Sequence, residues 1–168
     1  MLTNSIKYLF IFVISVLLQV LIFDNILIAR MVVPYFYIIF LILLPFQIPR
    51  ALLLILGFLL GVSIDIFTNT MGVHAFACVL IAFMRPGILS LISSRETLDS
   101  VSAPRIQTMS IGWFIGYAAI MVIIHHLVLF FLEAFTFNDF LFTLLRGILS
   151  SLLSLSLIVL SQFLIFRK

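Results

Sequence analysis

The sequence predicts an all-α integral membrane protein built as a bundle of six transmembrane helices. Its 168 residues are 65% hydrophobic and only 9% charged, with a mean hydropathy of +1.41, whereas soluble domains are about half apolar and about a quarter charged. The apolar residues fall into six runs separated by short polar stretches. Since a spanning helix needs about 20 residues, six spans leave little chain for a soluble domain.

Taken in order, the spans are predicted over residues 8–28, 32–48, 51–67, 72–92, 110–132 and 140–166. The first follows Lys7, and no small-residue cleavage site precedes Asp24, so we expect a retained span rather than a signal peptide. The second has Pro34 near its start, where a missing N–H costs little. The third and fourth form a hairpin around a polar turn at residues 68–70.

The charged residues predict that both termini are cytoplasmic. With the amino terminus inside, the outer segments hold only two basic residues, Arg30 and Arg146. The inner segments hold the others: Lys7, Arg50, Arg85, Arg95, Arg105, Arg167 and Lys168. Four acidic residues fall on the outer side: Asp24, Asp65, Glu133 and Asp139. An excess of Lys and Arg marks the cytoplasmic side, and Tyr35 and Tyr37 would lie at the outer interface that amphipathic rings prefer.

A cytoplasmic loop is predicted over residues 93–109, which carry serines, both signs of charge and Pro104. One interpretation is a solvated tether, because mixed charge keeps a loop in water. The other is a docking site for a cytoplasmic partner. Just before the loop, Arg85-Pro86 is expected to interrupt the fourth span, because proline breaks the backbone hydrogen bonding of a helix.

The most informative stretch is Gly57-x-x-x-Gly61-x-x-x-Asp65, after which Gly72 opens the next helix. Residues spaced by four fall on one helical face, and small residues let a neighbouring helix approach closely. The sixth span carries a similar stripe of Gly147, Ser151, Ser154 and Ser161, and the first offers Ser15 and Gln19. These faces either pack tightly within the membrane or line a polar cavity, and the sequence leaves both open.

Asp65 and His74 are the candidates for a polar site. Asp65 closes the third span, where it could cap the next helix through the polar turn or bind an ion or substrate. A divalent metal or a proton relay is an alternative for the outer-half histidines and acids, His74, His125, His126, Asp65, Glu133 and Asp139. Neighbouring residues on a helix point about 100° apart, however, and no metal-binding spacing occurs.

We therefore expect no metal, no cofactor, no catalytic residue and no enzymatic activity. A disulfide framework is excluded because the sequence has a single cysteine, Cys78. No nucleophile stands at a fixed offset from a base. The net charge of +3 does not suggest a nucleic-acid partner, because basic residues in a membrane protein first report topology.

The run from Gly57 to Asp65, followed by Gly72-Val73-His74-Ala75, resembles the most recognisable segment of the bacterial rod-shape-determining membrane protein family MreD. Six short spans with Pro34 opening the second are similar to that family as well. The resemblance implies a non-catalytic scaffold of the cell-wall elongation machinery in the bacterial cytoplasmic membrane. It also implies a fold similar to the substrate-binding subunits of energy-coupling-factor vitamin transporters.

The same resemblance implies the partners. The direct one is a single-span protein of the MreC type, and the indirect ones are the actin-like MreB filament, a RodA-type glycosyltransferase and its transpeptidase, all at a lipid membrane. The small-residue faces would then be where the partner's helix packs. The alternative is a small-molecule-binding membrane subunit of a vitamin-type transporter, with Asp65 and His74 lining an outward-facing pocket.

Overall fold

The computed structural model describes residues 2–26, 31–135 and 139–165, which form a bundle of helices. The α-helices in this part of the chain are α1 (Leu2–Leu21), α2 (Ile39–Leu43), α3 (Arg50–Thr68), α4 (Val73–Ile92), α5 (Arg95–Ser100), α6 (Ile111–Ala134) and α7 (Phe140–Ile165). Five of these, α1, α3, α4, α6 and α7, are long and apolar enough to cross a membrane. The chain is therefore an all-α, multi-pass membrane protein.

The second predicted span is the one that does not form a membrane-crossing helix. Residues 32–48 hold only a 3-10 turn, Phe36–Ile38, which continues into the five-residue α2. Pro34 and Pro45 bracket this stretch, and the residues between them would rise too little as a helix to cross a bilayer. The six-helix prediction is thus corrected to five long helices and one irregular segment.

Residues 31–48, which we call the crossing segment, run through the interior of the bundle. Tyr37, Ile38, Leu41 and Ile42 have no exposed surface. The segment contacts α1, α3 and α7, while α3 packs on α4, α4 on α6, and α6 on α7. The long helices therefore enclose it and separate it from lipid along most of its length.

Most charged residues of the described chain lie near the two ends of the bundle, with Arg146 beside Glu133 at one end and Glu96 and Asp99 in α5 at the other. We call the end with Asp24, Asp65, Glu133 and Asp139 the acidic end, and the end with Lys7, Arg50, Arg95 and Arg105 the basic end. Helices α6 and α7 are antiparallel, since Phe131 packs on Phe140 while His126 contacts Ser154. Helix α1 thus begins and α7 ends at the basic end, as the charge pattern predicts.

The predicted charge asymmetry also included Arg30, Arg167 and Lys168, which lie outside the described residues. A fourth, Arg85, is not in a loop as predicted. It is buried within α4, with 1% of its surface exposed. The predicted interruption at Arg85-Pro86 is also wrong, because α4 continues through Pro86 to Ile92.

The loop at 93–109 is folded against the bundle and is not a free tether. It contains α5, whose first turn is capped by Ser94 Oγ accepting from the Thr97 N–H at 3.3 Å. The Gln47 amide donates to the carbonyls of Leu98 at 2.7 Å and Val101 at 3.1 Å. The loop is therefore tied to the basic-end terminus of the crossing segment.

In the half of the crossing segment that lies nearer the acidic end, side chains of the long helices form hydrogen bonds with the backbone N–H and carbonyl groups. Gln19 Oε1 accepts from the N–H groups of Phe36 at 2.7 Å and Tyr37 at 3.3 Å, and its Nε2 donates to the Pro34 carbonyl at 3.0 Å. Two α7 hydroxyls accept in the same way, Ser150 from Val33 N–H at 3.2 Å and Ser154 from Tyr35 N–H at 2.8 Å. Irregular backbone is tolerated at membrane depth only when buried in protein and satisfied there.

Arg85 does the same at the basic-end half. Its Nε donates to the Tyr117 hydroxyl at 2.7 Å, and its terminal nitrogens donate to the carbonyls of Leu44 and of Pro45. These carbonyls follow the last turn of α2, where the helix dipole is negative and a cation is favoured. The planar guanidinium, with its five donors, is suited to several acceptors at once.

We predict that Gln19→Leu lowers the stability of the fold by about 1–3 kcal/mol or more, because it leaves buried N–H groups unsatisfied. Gln162→Leu is the matched control: Gln162 is fully buried, but neither atom of its amide has a hydrogen-bond partner in the described part of the chain. Thermal unfolding of the purified variants in detergent measures the difference. An equal fall for both variants would contradict this role of Gln19.

Candidate functional site

Asp65 caps the amino terminus of α4 from the neighbouring helix. Its Oδ1 accepts from the His74 N–H at 3.1 Å and its Oδ2 from the Ala75 N–H at 2.9 Å. The Thr70 hydroxyl also donates to Oδ1. The first N–H groups of a helix have no partner within it, and a carboxylate there also complements the helix dipole. This is the capping role that the sequence left open beside ligand binding.

The turn between α3 and α4 has the backbone that this capping requires. Helix α3 ends at Thr68 and is followed by its C-cap residue Asn69, which has a φ of +58°, and α4 begins after Gly72, which has a φ of +83°. Asparagine and glycine are the residues that adopt this left-handed conformation most readily. The turn therefore folds back sharply enough to bring His74 and Ala75 over Asp65.

His74 completes a buried hydrogen-bonded group with Asp65 and Thr70. Its Nδ1 lies 3.1 Å from Asp65 Oδ1 and 3.1 Å from Thr70 Oγ1. The side chain is 2% exposed, and its Nε2 has no hydrogen-bond partner in the part of the chain that the structure describes. Both predicted polar-site residues thus lie together, inside the bundle and not at an open surface.

Gly57 and Gly61 face α4 of the same chain. A Cβ added at Gly61 would lie 2.3 Å from Ala75 Cα and 2.5 Å from the His74 carbonyl oxygen, and one at Gly57 would lie 3.0 Å from Ala82 Cβ. The close approach that small residues permit is therefore within the hairpin. This corrects the expectation that a partner's helix packs on the glycine face, because α4 already occupies it.

The stripe on α7 divides between two neighbours. Gly147 faces α6, since an added Cβ would lie 3.1 Å from Leu127 Cδ2. Ser151 donates to the Gly147 carbonyl of its own helix at 2.7 Å, whereas Ser154 contacts the crossing segment and His126. Gly72 differs from these residues, because it provides a backbone conformation and has no packing neighbour within 4 Å of an added Cβ.

A cluster of rings surrounds Tyr35 near the acidic end. The Tyr35 ring centroid lies 5.6 Å from that of His74, 6.3 Å from that of His125 and 5.3 Å from that of His126. The Tyr37 hydroxyl lies 2.9 Å from His125 Nε2. Both tyrosines are buried, so their rings pack inside the bundle and do not face lipid or water.

The two adjacent histidines have different partners. His126 Nδ1 lies 2.8 Å from the Val122 carbonyl, so it carries the proton, and Nε2 then accepts from the Ser154 hydroxyl at 2.8 Å. His125 is bonded to Tyr37, and its Nδ1 has no partner in the described part of the chain. Among those residues no group of three or more His, Cys, Asp or Glu side chains is placed to hold a metal ion.

Sequence reasoning misplaced Arg85, did not foresee that Tyr35 and Tyr37 are buried inside the bundle, and missed Ser150. A signal for Arg85 was present, because an arginine thirteen residues into a twenty-residue apolar helix lies too deep for a loop and is costly in lipid. A signal for the crossing segment was the pair Pro34 and Pro45, which leaves the run between them too short to span.

Comparison of the chain with protein-family models, curated proteins and solved structures gives no match.

We predict that Gly61→Ala destabilises the fold by about 1–3 kcal/mol or more, because the new methyl group forces two backbones apart. Gly116→Ala in α6 is the control, since a Cβ there meets nothing within 4 Å and alanine favours a helix. Thermal unfolding in detergent measures both. The close packing would be refuted by a Gly61→Ala protein as stable as the control.

We predict that Asp65→Asn lowers stability by about 1–3 kcal/mol, because an amide offers one acceptor oxygen in place of two and leaves an N–H of α4 unsatisfied. Asp99→Asn, at an exposed position in α5, should be close to neutral. Midpoints of thermal unfolding for the two variants provide the test. A variant of full stability with lost function would instead assign Asp65 to ligand or partner binding.

Proposed function

We propose that this chain is a non-catalytic membrane scaffold of the MreD type, which helps to maintain rod shape and lateral peptidoglycan synthesis. The observation that carries the proposal is the hairpin: the residues on which the resemblance rests, Gly57, Gly61, Asp65 and His74, form one packed unit. The resemblance thus rests on residues that act together, and not on scattered matches.

The burial of the polar residues also supports a scaffold. Asp65, His74, Ser154 and Gln19 are each at most 6% exposed, and their hydrogen bonds go to the protein itself. A polar group buried in a membrane protein stabilises the fold only when it is satisfied. Such residues hold helices together, which is what a binding platform for other membrane proteins requires.

On this proposal the direct partner is an MreC-type single-span protein, and MreB, the RodA-type glycosyltransferase and its transpeptidase are bound indirectly. The basic end faces the cytoplasm of a bacterial cell, following the positive-inside rule. Because the glycine face is covered by α4, the partner's helix would pack on a lipid-facing side of another long helix.

A second candidate is a small-molecule-binding subunit of a vitamin-type transporter. The observation that favours it is a pair of buried ring nitrogens, His74 Nε2 and His125 Nδ1, which have no hydrogen-bond partner within the described ranges. Buried polar atoms are nearly always satisfied, and a polar ligand entering from the acidic end could supply the missing partner.

Depleting the protein from its bacterium distinguishes the two functions. We expect rounded, lysing cells and loss of co-purification with the MreC-type partner after crosslinking in native membranes. Rescue by wild-type protein and by Gly116→Ala, but not by Gly61→Leu, would tie the effect to the folded hairpin. Rod-shaped cells that need an added vitamin would contradict the scaffold and favour the transporter subunit.

A further inference from the structure

Two adjoining cavities open at the basic end of the bundle. The first is an apolar cleft of about 500 Å³ between α1 and α3, with Phe12, Leu52 and Leu56 among its walls and Phe40 and Leu44 of the crossing segment at its base. This volume is in the range of small-molecule and lipid-chain pockets, about 300–1,000 Å³. The base of the cleft is formed by buried side chains, while several of its outer wall residues are exposed.

The second cavity is a polar recess of about 400 Å³. Lys7 of α1 and Arg105 of the loop line it, together with the hydroxyl-bearing residues Ser102 and Thr108. The recess and the cleft share three lining residues, Tyr8, Pro45 and Gln47. The two cavities therefore form one amphipathic site, apolar toward the membrane centre and basic at the membrane surface.

The charged side chains of the described chain that line this site are both basic. Lys7 and Arg105 are cations, and no aspartate or glutamate is among the described residues that line either cavity. The loop that carries Arg105 is held in place, since the Phe46 N–H donates to the Ser102 carbonyl at 3.2 Å and Gln47 bonds two further loop carbonyls. The recess is therefore a fixed feature of the fold, since hydrogen bonds to backbone groups hold the loop that lines it.

We propose that this site binds one anionic phospholipid, with an acyl chain in the cleft and its phosphate between Lys7 and Arg105. Basic pockets between membrane helices on the cytoplasmic side are suited to anionic headgroups, and Ser102 adds a hydroxyl donor to the recess. A partner's helix fits less well, because a helix is about 10–12 Å across and little more than one turn would fill the cleft.

The bound lipid would cover exposed apolar side chains at the mouth of the cleft. Phe40 and Leu44 are each 1% exposed, yet they lie at the base of a cleft whose outer walls, Leu9 and Leu52, are 63% and 45% exposed. An acyl chain there would cover the gap between α1 and α3. A ligand that binds only the folded protein raises its stability, so the lipid should raise the unfolding temperature.

The test titrates the purified full chain in detergent with phosphatidylglycerol or with phosphatidylcholine of the same acyl chains. Native mass spectrometry reports stoichiometry, and thermal unfolding reports stabilisation. We expect one phosphatidylglycerol per chain and a higher unfolding temperature, with much weaker effects of phosphatidylcholine. Water-soluble glycerol phosphate should not compete; if it does, the site takes free phosphate and the proposal is overturned.

Matched variants locate the site. Lys7→Gln with Arg105→Gln should weaken phosphatidylglycerol binding about tenfold or more, since each basic residue near an anionic lipid contributes about 1 kcal/mol. Arg50→Gln is the control, because Arg50 lies at the same end but lines a different groove, between α3 and α4. Equal losses in both proteins would show non-specific charge attraction and overturn the proposal.

Three further variants keep the test decisive if the double glutamine variant does not fold. Lys7→Arg with Arg105→Lys keeps both charges and should retain binding. Leu52→Trp should block the cleft, whereas Ile55→Trp, on the same helix and also exposed but outside the cleft lining, should not. Unimpaired binding by Leu52→Trp, or binding of a second copy of the chain in place of lipid, would overturn the proposal.

Discussion

The structure depends on hydrogen bonds that side chains make to the backbone of the crossing segment. In a lipid environment each unsatisfied backbone group costs several kcal/mol, and residues 31–48 contain only a short stretch of helix. Gln19, Ser150 and Ser154 supply acceptors at one half, and Arg85 supplies donors at the other. The long helices thus place polar side chains where the backbone of this irregular segment requires hydrogen-bond partners.

In the hairpin of α3 and α4 a side chain again satisfies backbone groups, here the first N–H groups of a helix. Because Gly57 and Gly61 have no side chains, the backbones of α3 and α4 can come into contact. The close packing of the two helices places the Asp65 carboxylate within hydrogen-bond distance of the first N–H groups of α4. Gly57, Gly61 and Asp65 therefore act together. Side chains at the glycines would move α4 away from the Asp65 carboxylate that caps it.

Much of the fold could be predicted from the sequence, because length and apolarity alone define a membrane helix. That reasoning located α1, α3, α4, α6 and α7 and the two charged ends. It was wrong for the crossing segment, because an apolar run that is buried in protein has the same composition as one that faces lipid. Only the spacing of Pro34 and Pro45 distinguished the two.

The candidate site was predictable where its parts are close in the chain, as in Asp65 and His74, nine residues apart. It was not predictable where they are distant. The Tyr35 N–H and the Ser154 hydroxyl are 119 residues apart, and Arg85 lies 41 residues from the Leu44 carbonyl. Side chains that recognise a backbone leave no periodic pattern in the sequence, since any suitably placed polar residue can do it.

The distribution of these partners has a consequence for how the protein is made. The crossing segment emerges from the ribosome early, with only Gln19 ahead of it, while Arg85 follows later and Ser150 and Ser154 come last. Its backbone therefore cannot be fully satisfied until α7 has been synthesised and inserted. Until then residues 31–48 must stay near water or be sheltered by the insertion machinery, so their burial is completed only when α7 joins the bundle.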